Sequence, residues 1–321
     1  MDWHALLDAQ ELAQLLPAEY ARYAEPVCEG LAVFLGGLPE QRQQELAARQ
    51  VALRPGVTLA ERLGELAHQC PVLHKLGQSL ARDPRLECLP STVTVAQLQQ
   101  AAERALGPLK ALDLELEGPA LAEASVAVVV PFRRRSAPDV RGVLKLLKHG
   151  VEPRLECELE LLARVGAHLD EQCDRLGLPA IDYRERFEEI SEKLVAEIQF
   201  EHEQRHLELA QRLYANDAHV QIPRLYRQWC TPRATAMERL EGKKVTDHAL
   251  VGAEAARLGS QVTRALVSRP LLAAGEEAIF HCDPHAGNLM LAPDGRLAVL
   301  DWGLVSHLTE EERAAMTQLL L

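Results

Sequence analysis

The residues best placed to do chemistry lie in His281-Cys282-Asp283-Pro284-His285-Ala286-Gly287-Asn288 and, thirteen positions beyond Asn288, in Asp301-Trp302-Gly303. Asp283 and Asn288 stand five residues apart. An acid, an amide five residues on, and a second acid opening an Asp-x-Gly turn is the order in which phosphoryl-transfer sites set out a proton acceptor and metal ligands. Asp283 would orient the attacking group and accept its proton. Asn288 and Asp301 would hold Mg²⁺ against the phosphates, since hard oxygen donors suit that ion. Gly303 permits a sharp bend just after the second ligand.

Other elements must bring these groups together. Leu289-Met290-Leu291 and Leu297-Ala298-Val299-Leu300 are apolar runs separated by an Asp294-Gly295 turn signal. That pattern predicts a β-hairpin, which would fold Asp301 back beside Asp283 and Asn288. A phosphorylated nucleotide also needs a cation on a strand facing it. Lys145, inside Gly142-Val143-Leu144-Lys145-Leu146-Leu147, is a charge within an apolar strand, so an anion should await it. Lys148 is the neighbouring alternative, but strand alternation puts it on the opposite face. Ahead of these strands no GxGxxG occurs; Ala120 to Val128 offers Ala122, Ala124, Ser125 and Ala127, small residues that let backbone approach phosphate. Further on, His202-Glu203-Gln204-Arg205-His206 spells HExxH, the pattern of zinc proteases. The metzincin spacing puts a third ligand near residue 212, which is Arg, and zinc would leave Lys145 and the hairpin unexplained. The helix face is read instead as charged, with one glutamate turned inward towards Lys145.

Periodicity orders the rest. Residues 1 to about 110 read as helical, with Leu6, Leu7, Leu12, Leu15 and Leu16, then Leu59, Leu63, Leu66 and Ala67, at helix-like intervals. No strand-like alternation is found before residue 120. Ser125 to Phe132 and Val140 to Leu147 read as strands, joined by a solvated loop at Arg133-Arg134-Arg135. Pro153 to about Gln172 reads as a helix, and Arg184 to about Tyr214 as one long helix. Val220–Tyr226 and Ala234–Leu240 read as strands, and Asp247–Ser268 as a helix. The expected architecture is a two-lobed α+β protein with a nucleotide cleft.

Composition narrows the partners. The chain has 321 residues and a net charge of −12 at pH 7, which argues against nucleic acid and against simple adhesion to an anionic membrane. Aromatics at 4% offer no base-stacking platform. Seven cysteines (Cys28, Cys70, Cys88, Cys157, Cys173, Cys230, Cys282) are scattered without CxxC spacing, which suits a reducing cytosol. No signal-peptide pattern opens the chain and no apolar run approaches the ~20 residues of a membrane span, so a cytoplasmic or peripherally bound protein is expected.

With these residues in view the chain resembles the UbiB/ADCK, or AarF-type, atypical kinase-like family over roughly residues 70–321. Lys75-Leu76-Gly77-Gln78 looks like the family's KxGQ motif, followed by a fitting Ser79-Leu80-Ala81-Arg82-Asp83-Pro84. Residues 122–127 look like its alanine-rich replacement for a glycine-rich loop, and Lys145 like its nucleotide-site lysine. Glu197-Ile198-Gln199-Phe200-x-x-Glu203 stands where the family has ExDFxxE, and Met237-Glu238-Arg239-Leu240 looks like the hinge strand. The resemblance implies a protein-kinase-like α+β fold in three parts: a helical extension carrying KxGQ over residues 1–110, an N-lobe with inserted helices over 111–242, and a truncated C-lobe over 243–321. It implies Mg²⁺-dependent binding and hydrolysis of ATP, or phosphorylation of a small molecule. Ubiquinone or isoprenoid-lipid metabolism, with peripheral contact at the inner face of a membrane, comes with it. Lys75 and Gln78 would project into the active site and hinder large protein substrates.

Three features depart from the family pattern. Gln199 replaces the Asp of ExD and cannot neutralise a cation. Trp302 replaces the usual Phe of the metal-binding turn, as in aminoglycoside-phosphotransferase-like kinases. The sequence ends eighteen residues after Gly303 where the family continues, so a trimmed chain and a short C-lobe are the two readings. The competing functions are a small-molecule phosphotransferase of the aminoglycoside or choline kinase type and a nucleotide-binding pseudokinase scaffold.

Overall fold

The structure, a computed structural model, describes residues 3, 7–81, 93–248, 250–273 and 278–320. Helices Ala9–Leu15, Ala24–Gly37, Glu40–Ala52, Leu59–Gln69, Pro71–Ala81 and Val95–Leu106 come first. Strands β1 (Leu114–Leu116), β2 (Ala122–Glu123), β3 (Ala127–Arg134) and β4 (Arg141–Leu147) follow, then helices Val151–Glu171, Tyr183–Ile198 and Phe200–Tyr214. After β5 (Val220–Gln221), β6 (Ala234–Glu238) and β7 (Lys243–Lys244) comes the helix Ala253–Thr263, which runs on as a π-helix over Arg264–Ser268. The last part is β8 (Ile279–His281), β9 (Leu289–Leu291), β10 (Leu297–Val299), β11 (Val305–His307) and the helix Glu310–Leu320.

The chain divides into two compact units, one of Met1–Pro90, Ala124–Val126 and Lys148–Val195, the other of Ser91–Glu123, Ala127–Leu147 and Ala196–Leu321. The first unit is helical. Thr58 starts the helix Leu59–Gln69 with a reciprocal capping box, its hydroxyl bonded to the Glu61 N–H and the Glu61 carboxylate to the Thr58 N–H. Helix Ala24–Gly37 packs along Val151–Glu171. Gly37 and Gly30 permit the approach, since a Cβ at Gly37 would collide with Leu161 and one at Gly30 would stand 3.2 Å from Val165. Helix Pro71–Ala81, which carries Lys75, packs on the same long helix. The N–H of Val72, in its first turn, donates to Glu158 Oε2 at 3.0 Å. An otherwise orphaned helix-terminal donor is satisfied that way.

The second unit is built on a sheet of order β1-β3-β4-β6, with β2 added beside β1 on the free edge of β3. Leu144 and Leu146 alternate with Lys145 along β4 and join Phe132, Ala234 and Ala236 in a core covered by the helix Val95–Leu106. Val143 and Met237 face the other way, into a second cluster with Leu207, Tyr214, Leu289, Val299 and Trp302. Period-two alternation thus puts Lys145 on the face towards the second cluster. A four-stranded sheet of order β5-β10-β9-β7 and the pair β8·β11 complete the unit.

Several expected elements differ. β1 lies before residue 120, in a stretch too short to show alternation. The arginine triplet is not simply solvated: Arg133 pairs with Glu115 at 3.0 Å, Arg134 with Asp113 at 3.2 Å, and Arg135 Nε donates to the Leu114 carbonyl at 3.0 Å. Asp113, at φ 62°, holds both the arginine and the Ser136 N–H, so these polar residues fasten β1 to β3. The single long helix expected over 184–214 is broken at Gln199, whose ψ of 67° leaves the helical region and starts a new helix at Phe200. The helix expected from Asp247 begins only at Ala253, behind Gly252 at φ 57°. Of the strands expected at 220–226 and 234–240, only Val220–Gln221 and Ala234–Glu238 form.

Candidate active site

The last four strands are nested, β9·β10 within β8·β11. β9 pairs antiparallel with β10, with Leu289 opposite Val299 and Leu291 opposite Leu297, around the expected turn. Gly295 sits there at φ 84°, a conformation that glycine adopts without strain. β8 pairs antiparallel with β11, with His281 opposite Val305. One long hairpin is therefore interrupted on both arms at the same height. Residues 282–288 open on one arm and 300–304 on the other. The Cys282 N–H donates to the Leu304 carbonyl at 3.0 Å, and the Leu300 N–H to the Asn288 carbonyl at 3.0 Å. The two chemical runs of the sequence face each other by construction. Asp283 and Asn288, both half-buried, occupy the first run, and Asp301 the second.

Lys145 completes the centre. Its Nζ lies 2.8 Å from Glu203 Oε1 and 3.3 Å from Asp301 Oδ2, and 5.4 Å from the centroid of the Phe200 ring. The side chains are graded in exposure: 6% for Glu203, 15% for Lys145 and 39% for Asp301. Glu203 is thus the internal counter-ion, and Asp301 presents the open end. Burial alone would lower the Lys145 ammonium, but the Asp301 and Glu203 carboxylates outweigh it and hold the pKa above the ordinary value. Burial likewise would raise the Asp301 carboxyl; the Lys145 ammonium and the Gly303 N–H outweigh it and hold it below the carboxylate range. At Glu203 burial prevails over the lysine, and the carboxylates of Asp301 and Glu197 push the pKa further up. The Asp301-Trp302-Gly303 turn is fixed as well. Asp301 Oδ1 accepts the Gly303 N–H at 2.8 Å, and His281 Nε2 donates to the Asp301 carbonyl at 2.6 Å.

Glu203 is held in place by its neighbour. Gln204, 2% exposed, donates to the carbonyls of Thr231 and Ala234 and to Thr235 Oγ1, at 2.9, 3.1 and 3.1 Å, and accepts from Arg227. These bonds pin the helix Phe200–Tyr214 to β6, where Thr235 stands opposite Lys145. Sequence reasoning missed Gln204; a lone amide next to an inward glutamate at helical spacing was the available signal. The HExxH string is split among partners: Glu203 turns in to Lys145, His202 is exposed, and His206 bonds to the Trp302 carbonyl at 3.2 Å. That geometry is not a zinc site.

Met237 is buried on β6 opposite Val143, on the face of Lys145. Ala122 on β2 stands opposite Val129, which stands opposite Lys145, so Ala122 lies two strands from the lysine, about 10 Å away, in one row. Ala127 is buried at the start of β3. Ala124, exposed, and Ser125, buried, belong to the helical unit, as does the half-buried Lys75 on the helix Pro71–Ala81. Glu197 is half-buried near the end of the helix Tyr183–Ile198. The side chain of Gln78 and the run Arg82-Asp83-Pro84 lie outside the described residues. Among the described residues no three acidic, histidine or cysteine groups already converge as a metal cage, and no helix is long and apolar enough to cross a membrane.

Comparison with known proteins agrees with this geometry. The family model for the ABC1 atypical kinase-like domain matches residues 90–321. A chloroplastic aarF domain-containing protein kinase of Arabidopsis thaliana, itself uncharacterised, is 30% identical over 88% of this chain and 52% of its own length. The chloroplastic Activity of BC1 Complex Kinase 3 of the same plant is 29% identical over 77% of this chain and 36% of its own. A probable protein kinase UbiB of Pseudomonas paraeruginosa is 26% identical over 84% of this chain and 52% of its own. The chain thus spans about a third to a half of these relatives. A Mycobacterium tuberculosis protein solved with erythromycin shares the fold at a TM-score of 0.55 and 19% identity, over 84% of this chain and 67% of that one. With the paired lysine and the two facing runs, these matches show that the chain belongs to the ABC1 atypical kinase-like family, the group of UbiB and the AarF-domain kinases, and has its protein-kinase-like fold.

Proposed function

We propose that this chain binds ATP with Mg²⁺ and acts as a UbiB-type phosphotransferase or ATPase. The observation that carries the reading is Lys145 held between Glu203 and Asp301. Counted as charges, the three sum to minus one, so the centre as it stands would repel a bare polyphosphate. Asp301, at the open end, would hold a divalent cation there, and that charge would reverse the balance. Asp301 and Asn288 fit Mg²⁺, which takes one or two protein oxygens and completes its shell with phosphate oxygens and water. When bound, the ion neutralises phosphate charge. The protein's own groups do the rest. Lys145 meets the nucleotide phosphates, Glu203 keeps the lysine aimed, and Asp283 accepts the proton of the attacking group. Met237 lines the nucleotide on β6. The family resemblance assigns Ala122, Ala124, Ser125 and Ala127 to the phosphate-covering stretch, Glu197 to the metal side, and Lys75 and Gln78 to restricting access.

The family supplies the context of the reading: support of ubiquinone or another isoprenoid-lipid route, with peripheral membrane contact. Its test is Mg·ATP turnover, with and without anionic lipid vesicles or quinone-precursor analogues, on the parent protein and Asp301→Asn. The parent should turn over ATP, and Asp301→Asn should lose about a hundredfold or more, the scale on which transition-state charge stabilisation acts. Equal rates in the two proteins would sink the enzymatic reading and favour a nucleotide-binding scaffold.

A further inference from the structure

The helix Phe200–Tyr214 does more than present Glu203. One turn further on, His206 sets its Nδ1 3.2 Å from the Trp302 carbonyl oxygen. A carbonyl can only accept, so Nδ1 carries the proton and donates. The carbonyl just before it, that of Asp301, receives His281 Nε2 at 2.6 Å. Two consecutive carbonyls of the Asp301-Trp302-Gly303 turn are therefore held by two imidazoles, one from β8 and one from the helix. Around them the Trp302 indole donates to the Val299 carbonyl at 3.2 Å, with the His281 ring edge-on at 5.0 Å and the Tyr214 ring at 5.8 Å. The His307 ring stands edge-on to His206 at 5.8 Å. Glu203 and His206 occupy one turn of one helix, so they move as a body. A shift that takes the counter-ion from Lys145 also takes the donor from the metal-binding turn.

We propose that His206 is a positioning residue of the phosphoryl-transfer site, tying the helix that carries Glu203 to the turn that aims Asp301 at the divalent cation. The inference rests on the Mg·nucleotide reading of the site and adds to it a mechanical link between the Lys145–Glu203 pair and the metal side. It gives the second histidine of the HExxH string a role that involves no zinc.

Two variants test it. His206→Leu removes the donor and keeps bulk, while His206→Asn returns an N–H close to the position of Nδ1. Two measurements are made on each: amide hydrogen exchange over residues 300–304 without nucleotide, and the Mg²⁺ concentration that half-saturates binding of a fluorescent ATP analogue. Leu should speed the exchange roughly 3- to 10-fold, the reach of one net hydrogen bond, and raise the Mg²⁺ requirement by a similar factor. Asn should restore both. If Leu prevents folding, His206→Gln, whose amide is one bond further out, takes its place. Exchange and Mg²⁺ dependence that match the parent in the Leu variant would overturn the proposal, as would an Asn variant no better than Leu. A parent with no Mg²⁺-dependent nucleotide binding would overturn the reading of the site itself. Faster exchange in Leu, reversed in Asn, would then still establish the link between helix and turn.

Discussion

Glu158 is the group whose titration should be visible in stability. It is 1% exposed, and its Oε2 accepts the N–H of Val72 at the start of the helix that carries Lys75. Burial pushes its pKa from 4.5 to about 7, against the lowering effect of the Val72 N–H and of Arg42 and Arg154. The folded protein therefore holds a proton on this carboxyl between those two values where the unfolded chain has released it. Stability from this source is fully present below the unfolded value and is lost as pH rises through the folded one. The gap between those two values, at ~1.4 kcal/mol per pH unit, amounts to about 3.5 kcal/mol, of which about 2.5 kcal/mol falls between about pH 5 and about pH 8. Glu158→Gln keeps an oxygen for the Val72 N–H but does not titrate. Chemical denaturation of the two proteins, followed by far-ultraviolet circular dichroism at both ends of that range, gives the comparison. The parent should lose about 2 to 3 kcal/mol more than the variant on going from the acid to the alkaline end. Every other titrating group is common to both proteins, so the difference isolates Glu158. Parallel pH profiles would refute the reasoning.

Four further outcomes follow from the geometry. Lys145→Met leaves the Glu203 carboxylate inside the protein without its cation, so a loss of about 3 kcal/mol is expected in thermal or urea unfolding, together with loss of nucleotide binding in calorimetry. Gln204→Leu strips the carbonyls of Thr231 and Ala234 of a donor and should cost about 2 kcal/mol, with a weaker response of nucleotide affinity because Glu203 is less firmly aimed. Gln199 stands at the N-cap of the helix Phe200–Tyr214 without a capping side-chain bond, so Gln199→Asp should raise stability by about 1 kcal/mol in denaturant titration. Lys75→Ala, if the lysine restricts access, should raise ATPase activity or change the preference among nucleotides; identical kinetics in the parent would argue against that role.

How much of this was readable beforehand depends on the range of the interaction concerned. The hairpin at Leu289–Val299 was legible because its signals are local: two apolar runs and an Asp-Gly turn within a dozen residues. Lys145 was legible as a charge needing an anion, because alternation fixes which neighbours it shares a face with. The identity of that anion was half legible, since an inward glutamate on the helix could be named but the second carboxylate, Asp301, lies 156 residues away. β1 and the arginine clamps depend on pairing between short segments, Leu114–Leu116 and β3, that carry no periodic signal of their own. The break at Gln199 was hidden for a different reason. The apolar stripe runs on at helical spacing through Leu194, Ile198 and Leu207, so periodicity predicts continuity, while the backbone turns at a polar residue whose exposed side chain leaves no mark on that stripe. That break has a consequence for the site. It makes Phe200–Tyr214 a separate helix whose first two turns carry Glu203, Gln204 and His206, so the helix pinned to β6 is also the one that grips Lys145 and the Trp302 carbonyl. Had the chain continued as one helix from Tyr183, its direction would be set by thirty residues of packing. As two, the shorter helix is aligned by its own buried face, Leu207, Ala210 and Tyr214, and by the bonds of Glu203, Gln204 and His206, and those few bonds are where substitution should be felt.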